Sequence, residues 1–554
     1  MIAPSRFAFV CVLTALPALA AAPAPVRVDP ARVDAVFKPF DNRSGPGCAV
    51  GILQAGKVVY AKGYGLADLN LPTPITPATL FDVGSVSKQF TAASVLLLVQ
   101  EGKLALTDDI RKYLPEIPDY GTPITVDHLL RHTSGLRDYT ELLNFKGYHS
   151  EDVTDDDDAL EIIARQRALV FKPGTKWRYS NTGYFLASLL VKRVTGKSLA
   201  VFAQERLFQP LGMTRSHIRD DHTAVVPGRA SAYSPKEGGG FRIDQSDWDQ
   251  TGDGQVQTNV LELARWEENL REPKVGGKAL VDALQERGTL SSGKATEYGR
   301  GLFADTYRGV PRVHHSGGWA GYRAVLMRFP SRGVSFAVLC NRTDIPPDIG
   351  QKVADAVLEE TFRAAESEAA KGKPAEPTPP KKGESGRFVG LYYGEEAQEV
   401  MRFHVREGAL ALDYQGRTVP LREVGEGRFE DPRGILALAF EGEQMKVSRR
   451  GEPMGTFQRV APMTPSADDW KQLVGAYYSP ELDATWRLEP KGDTVAVKTR
   501  AMGTPALEPA FADAFRTELG LVRMTRDGSG RLTGFILQGL HFERTEDRRI
   551  HPFE

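Results

Sequence analysis

An echo in the last third of the sequence leaves few folds open to it. Phe388-Val389-Gly390-Leu391-Tyr392-Tyr393 matches Leu473-Val474-Gly475-Ala476-Tyr477-Tyr478, a shift of 473 − 388 = 85 residues. Phe457-Gln458-Arg459 matches Phe542-Glu543-Arg544 at the same shift, and Leu410 and Leu412 align with Val495 and Val497. Self-similarity at a fixed period marks repeated structural units. Each unit alternates apolar and polar residues, as in Leu410, Leu412 and Tyr414, between Gly-containing turns such as Glu441-Gly442-Glu443 and Asp527-Gly528-Ser529-Gly530. Two small antiparallel β-barrels are expected, over residues 385–462 and 466–549.

Residues 366–384 separate these modules from the rest. Lys371 to Lys382 is charged and proline-rich, with nothing apolar enough to pack, and reads as a semi-extended linker. The region before it, 26–365, is therefore expected to fold on its own. Strand-like runs open it (Cys48 to Leu53, Val58 to Ala61) and close it (Tyr322 to Phe329, Val334 to Cys340). Helical patterns lie between, at Val95 to Val99, at Leu186 to Val194 ending at Gly196, and at Val260 to Leu270. Strands from both ends of a region imply one sheet closed around an inserted helical part, an α/β (α+β) domain. Asp155 to Asp158 precedes Ala159-Leu160-Glu161-Ile162-Ile163, where acidic residues favour a helix N-terminus.

Residues 1–20 read as a secretory signal: Arg6 is their only charge, Phe7 to Ala20 is apolar, and Ala18-Leu19-Ala20 fits a small-x-small cleavage site. The apolar run is too short to span a bilayer, and Cys11 lies inside it, where a lipid anchor would have to follow the cleavage point. An exported protein, periplasmic or secreted, with no transmembrane segment is expected. With 70 Lys+Arg against 71 Asp+Glu there is no positive surplus to neutralise phosphates, which argues against a nucleic-acid partner. Cys48 and Cys340 remain after processing; they suit either a disulfide in an oxidising compartment or two buried thiols.

Three elements carry chemistry. In Gly84-Ser85-Val86-Ser87-Lys88, Ser85 stands at a helix start with Lys88 one turn on, on the same face. A serine hydroxyl needs a neighbour to take its proton, and a desolvated lysine can do so. Ser87 has no lysine at that spacing and serves as the internal control. The second element, Pro173 to Asn181, lies on a turn before a helix that Thr182 opens. Tyr179 offers a phenol to move a proton, and Asn181 offers an amide to hold a carbonyl or cap the helix. The third, His314-His315-Ser316-Gly317-Gly318-Trp319-Ala320-Gly321, has glycines that let backbone approach a ligand. No carboxylate stands at ligand spacing from these histidines, and His128 and His132, four apart on a helix, enclose no acid, so no metal is expected.

Taken together and in this order, the three elements resemble the serine β-lactamase and penicillin-binding superfamily. The likeness extends to Leu129-Leu130-Arg131-His132-Thr133-Ser134-Gly135-Leu136, to Pro210-Leu211-Gly212-Met213 and to Gly252-Asp253-Gly254, and covers roughly Val36 to Arg363. It implies a β-lactamase-like domain, an antiparallel sheet flanked by helices beside an all-helical part, with the nucleophile between. Ser85, Lys88 and Tyr179 match the family's nucleophile, base and proton shuttle, with the Ser85 and Gly318 amides as the oxyanion hole. His315 and Asn181 would orient the substrate, with Ser316, Gly317, Gly318 and Trp319 beside it; Trp319 suits either a pocket wall or a packed core. No cofactor is implied. Many β-lactamases carry Lys-Thr-Gly where this chain has His315-Ser316-Gly317, which exchanges a permanent charge for a pH-dependent one. Secreted D,D-carboxypeptidases and D-aminopeptidases of this family can carry histidine there, and bacterial D-aminopeptidases share the two trailing barrels. The expectation is a serine hydrolase acting on small-molecule or peptide substrates, cell-wall-derived ones among them, that contain a D-residue as peptide, amide or ester. Alternatives are a β-lactamase or carboxylesterase of the same family, or a sensor that is acylated without turnover.

Overall fold

Val334 to Cys340 is apolar almost without a break and buried along its whole length, as a strand covered on both faces must be. It is the sixth strand of an antiparallel sheet whose members are β1 (Cys48–Gln54), β2 (Lys57–Tyr64), β3 (Phe303–Tyr307), β4 (Val310–Trp319), β5 (Tyr322–Phe329) and β6 (Val334–Cys340). Their spatial order is β3-β4-β5-β6-β1-β2, so strands from the two ends of the region pair at its centre, as the sequence pattern implies. The computed structural model describes residues 25–42, 44–370, 385–414, 417–432, 434–449 and 452–546. The expected signal, 1–20, and residues 371–384 of the expected linker lie outside the described residues.

The β1/β6 register sets Cys48 directly opposite Cys340, and the two form a disulfide rather than a pair of thiols. A link closing so long a loop restricts the unfolded chain and contributes about 2–5 kcal/mol. Helices Pro30–Phe37 and Ile349–Ala370 cover one face of the sheet. The second of these runs five residues past the expected domain edge at 365, into the expected linker. Against the other face lie helices Lys88–Gln100 and Val260–Arg271 and the all-helical part. Lys88–Gln100 is buried on nearly every side, from Lys88 to Leu98, which marks it as the central helix of the domain. Asp155 accepts hydrogen bonds from the Asp157 and Asp158 amides at the start of helix Asp156–Ala164, so the acidic tract is a cap. Among the described residues no helix is long and apolar enough to cross a membrane.

The two repeats form two nearly closed antiparallel barrels, over Gly390–Val460 and Gly475–Thr545, each with its first strand paired to its last. Equivalent arginines secure both seams: Arg459 donates to the carbonyls of Arg387 and Val389, and Arg544 to those of Gln472 and Val474. The first barrel has an apolar core of its own. The second does not stand apart, and this corrects the expectation that the linker isolates the modules. Its interior is continuous with the core of the helical part, the Trp486 indole donates to the Phe145 carbonyl, and Arg500 pairs with Asp152. The first barrel in turn rests on the second, with Leu391 and Tyr393 packed against Ala510, Ala514 and Leu521.

Candidate active site

Ser85 lies on the tight turn Gly84–Ser87 that leads into helix Lys88–Gln100. The turn is held by Asp82, whose Oδ1 accepts the Gly84 amide at 2.7 Å and whose buried carboxyl is pushed up to about 6 by desolvation. One turn on, Lys88 is fully buried. Its Nζ is 2.9 Å from Ser85 Oγ, 2.8 Å from Asn181 Oδ1 and 2.7 Å from the Asp253 carbonyl. The amide oxygen and the carbonyl can only accept, so they take two amine hydrogens. Ser85 alone among the three can donate to the lone pair of a neutral amine. Burial favours that form, holding the Lys88 pKa below its ordinary value against the smaller opposing effect of the Asp253 and Asp138 carboxylates. Asp253 shifts the other way, its carboxyl raised by burial, with Tyr139 donating to it at 3.2 Å.

Tyr179 packs beside this pair, its ring centroid 5.0 Å from Lys88 Nζ. Burial raises the phenol well above its usual range, partly offset by the Ser85 hydroxyl, so the resting ring is neutral. The phenol oxygen is buried, close enough to feel the Ser85 hydroxyl but with no hydrogen bond of good geometry among the described residues, a state in which it can take or give a proton at Ser85 once substrate is bound. Asn181 opens helix Asn181–Thr195; its backbone amide donates to Asp138 Oδ2 at 2.6 Å while its side chain holds Lys88.

β4 passes the Gly84–Ser87 turn on the other side. A Cβ on Gly317 would fall 2.0 Å from the Val83 carbonyl, and one on Gly84, whose φ is +49°, would fall 2.7 Å from the Gly318 nitrogen. Only glycine permits this approach, and Ser85 and Gly318 line one opening beside it. A cavity there is lined by Ser85, Tyr139, Asn181, Trp248, Gly318 and Trp319, with the two tryptophans in edge contact at 5.4 Å. The Ser316 side chain is exposed.

His315 differs from expectation. It is buried, its Nδ1 bonds to the Ser316 carbonyl at 2.6 Å, and its Nε2 meets the Tyr298 hydroxyl at 3.1 Å. A carbonyl accepts only, so Nδ1 carries the hydrogen and Nε2 accepts from Tyr298. Burial and the Lys88 charge hold its pKa at about 3. The pH-dependent cation expected at this place is therefore corrected to a neutral ring across ordinary pH. Ser87, the internal control, turns away: its Oγ accepts the Val256 amide at 3.0 Å and pins strand Val256–Thr258 to the Gly84–Ser87 turn. His128 and His132 do not share a helix, because the helix ends at Leu130. Asp138, Tyr139, Asp253 and Tyr298 were not singled out as site residues by sequence; the Gly252-Asp253-Gly254 segment was the only pointer to any of them.

The beta-lactamase family model matches residues 33–359. A D-aminopeptidase of Gluconobacter oxydans is 28% identical over 458 residues, covering 82% of this chain and 83% of its own. A D-aminopeptidase of Brucella canis is 25% identical over 525 residues, covering 91% and 96%. Among solved structures, the octameric penicillin-binding protein homologue from Pyrococcus abyssi superposes with a TM-score of 0.55 at 23% identity, over 78% of this chain and 100% of that one.

Proposed function

This chain belongs to the beta-lactamase family and is a hydrolase, and on that premise we propose that it cleaves D-amino-acid peptides, amides or esters through a Ser85 acyl-enzyme. Ser85 Oγ attacks the substrate carbonyl as its proton passes to neutral Lys88, with Tyr179 relaying it. The Ser85 and Gly318 amides hold the developing oxyanion. The proton moves through Tyr179 to the leaving amine or alcohol as the carbonyl re-forms and the bond breaks. Water, activated by the same pair, then attacks the ester, and the acid and Ser85 are regenerated.

One observation carries the substrate class: His315 stands neutral, with both nitrogens engaged, where a lysine would hold a substrate carboxylate. A β-lactam or a peptide held by its C-terminal carboxylate finds no cation there. A D-residue with its acyl carbon at Ser85 and no nearby carboxylate does not need one. The two D-aminopeptidase relatives support the same reading, and so does their span, which reaches into the barrels. We also place the protein outside the cytoplasm on residues 1–20, for which a mature N-terminus at Ala21 is the test. The functional test is steady-state kcat/KM on D- and L-alanine nitroanilides, an acyl-D-Ala-D-Ala peptide, nitrophenyl esters and a chromogenic cephalosporin. Preference for the D-alanine derivative is expected. Efficient cephalosporin hydrolysis with no action on D-residue substrates would make the chain a β-lactamase, and a single stoichiometric acylation without turnover would make it a sensor.

A further inference from the structure

His132 takes no part in the chemistry described above, yet it holds Tyr179 and both of its chain neighbours. Its carbonyl accepts the Arg178 amide at 3.0 Å, and its Nδ1 accepts the Ser180 amide at 3.2 Å. The residues on either side of Tyr179 are thus hung from one side chain and its own backbone. Between them the imidazole lies against the Tyr179 ring, 4.2 Å between centroids and tilted by 34°. The geometry points to His132 as the positioning residue for Tyr179, a neutral imidazole that fixes the phenol beside Ser85 while leaving its hydroxyl unbonded.

Two further observations support this. His132 has φ +58°, in the left-handed region that non-glycine residues seldom occupy, just past the end of helix Val126–Leu130. That turn lets a single residue present both its carbonyl and its ring to the same strand-like segment, and such outliers persist where surrounding structure enforces them. Since Nδ1 accepts from an amide, the hydrogen of the neutral ring is on Nε2, and that atom is buried with no partner among the described residues. Burial, followed by the charge of Lys88, keeps the ring from becoming a cation. A helix end made only for packing would not need an imidazole; Leu or Phe would fill the space but would leave the Ser180 amide without its acceptor.

The inference rests on Ser85 being the nucleophile but on no particular substrate, so the readout is covalent labelling of Ser85 by an alkyl fluorophosphonate. His132→Phe keeps the ring and removes the acceptor; His132→Asn keeps an acceptor near the Nδ1 position and removes the ring. Each is expected to lower the maximal labelling rate about ten- to hundred-fold, the scale of a misplaced catalytic group, with the half-saturating probe concentration little changed. Neither is expected to lower it further in a Tyr179→Phe background, because a residue acting through Tyr179 has nothing left to act on. Folded variants that label at the wild-type rate, or losses that simply multiply with Tyr179→Phe, would overturn the proposal. Should both variants fail to fold, 15N NMR of the histidine-labelled wild-type protein decides: a His132 ring protonated at Nδ1 at neutral pH excludes the bond to Ser180. Labelling of Ser85→Ala as fast as wild type would sink the nucleophile assignment instead, a separate outcome.

Discussion

Two serines two residues apart do different work, and their neighbours explain why. Ser85 faces an amine whose pKa burial lowers, which brings its neutral, proton-accepting form within reach, whereas Ser87 spends its hydroxyl on a backbone amide. Ser85→Ala should remove turnover by several powers of ten, since it disables a group acting as one unit with its base. Ser87→Ala should keep the chemistry but cost about 1–3 kcal/mol of stability by stranding the Val256 amide, read as a lower denaturation midpoint with kcat near wild type. The base is set by its surroundings in the same way. The Asp253 carboxylate opposes the downward shift of Lys88, so Asp253→Asn should lower the Lys88 pKa further. A mechanism needing the neutral amine then predicts that the acid limb of kcat/KM moves to lower pH. A limb that stays put, or moves to higher pH, would detach Lys88 from proton removal.

At the scale of elements, the site exists because β4 and the nucleophile turn approach more closely than side chains allow. Gly317 is the contact: its missing Cβ leaves room for the Val83 carbonyl. Gly317→Ala should force β4 away from the turn and spread the two amides proposed to hold the oxyanion. The expected loss is about 10²–10³ in kcat, the scale of a lost oxyanion donor. A crystal structure of the variant with the strand displaced would confirm the cause, while wild-type kcat with unmoved strands would contradict it. Helix Asn181–Thr195 has a similar function at its start, where Asp138 holds the Asn181 backbone and Asn181 holds Lys88. Asp138 also caps helix Tyr139–Lys146, so the same carboxylate fixes two helix starts beside the nucleophile.

For the whole molecule, the order of attachment is helical part, second barrel, first barrel, although the chain runs through the first barrel before the second. Gln538 and Gly539, on a hairpin turn of the second barrel, bond to Glu141 and Arg137, which flank Asp138 and Tyr139. A chain ending at Ala370 would expose the apolar surface around Phe145 that Trp486 now covers. It should therefore show a lower thermal midpoint and self-association, contrary to the independence expected from the linker, and reduced kcat through the Asp138 segment. A monodisperse truncation as stable and active as the full chain would show that the shared core carries no weight. Removing only residues 385–462 should be milder, because the apolar packing of that barrel outside its own core is against its twin.

The sequence by itself determined what local chemistry determines. The 85-residue shift needs only matching residues to reveal two barrels, a run such as Val334 to Cys340 can only be a buried strand, and Ser85 and Lys88 meet because one helical turn separates them. What depended on residues far apart in the chain was decided by tertiary structure. Cys48 and Cys340 are bonded because strand register sets them opposite. The charge of His315 could not be read from its place in a motif, since it is set by burial and by the charge of Lys88, which adjacent residues do not reveal. His132 looked like half of a helical pair until the helix ended before it. The linker signalled separation, but only long-range packing could show that the second barrel folds back onto the helices, because apolar contact area is a property of surfaces brought together and not of the segment that joins them.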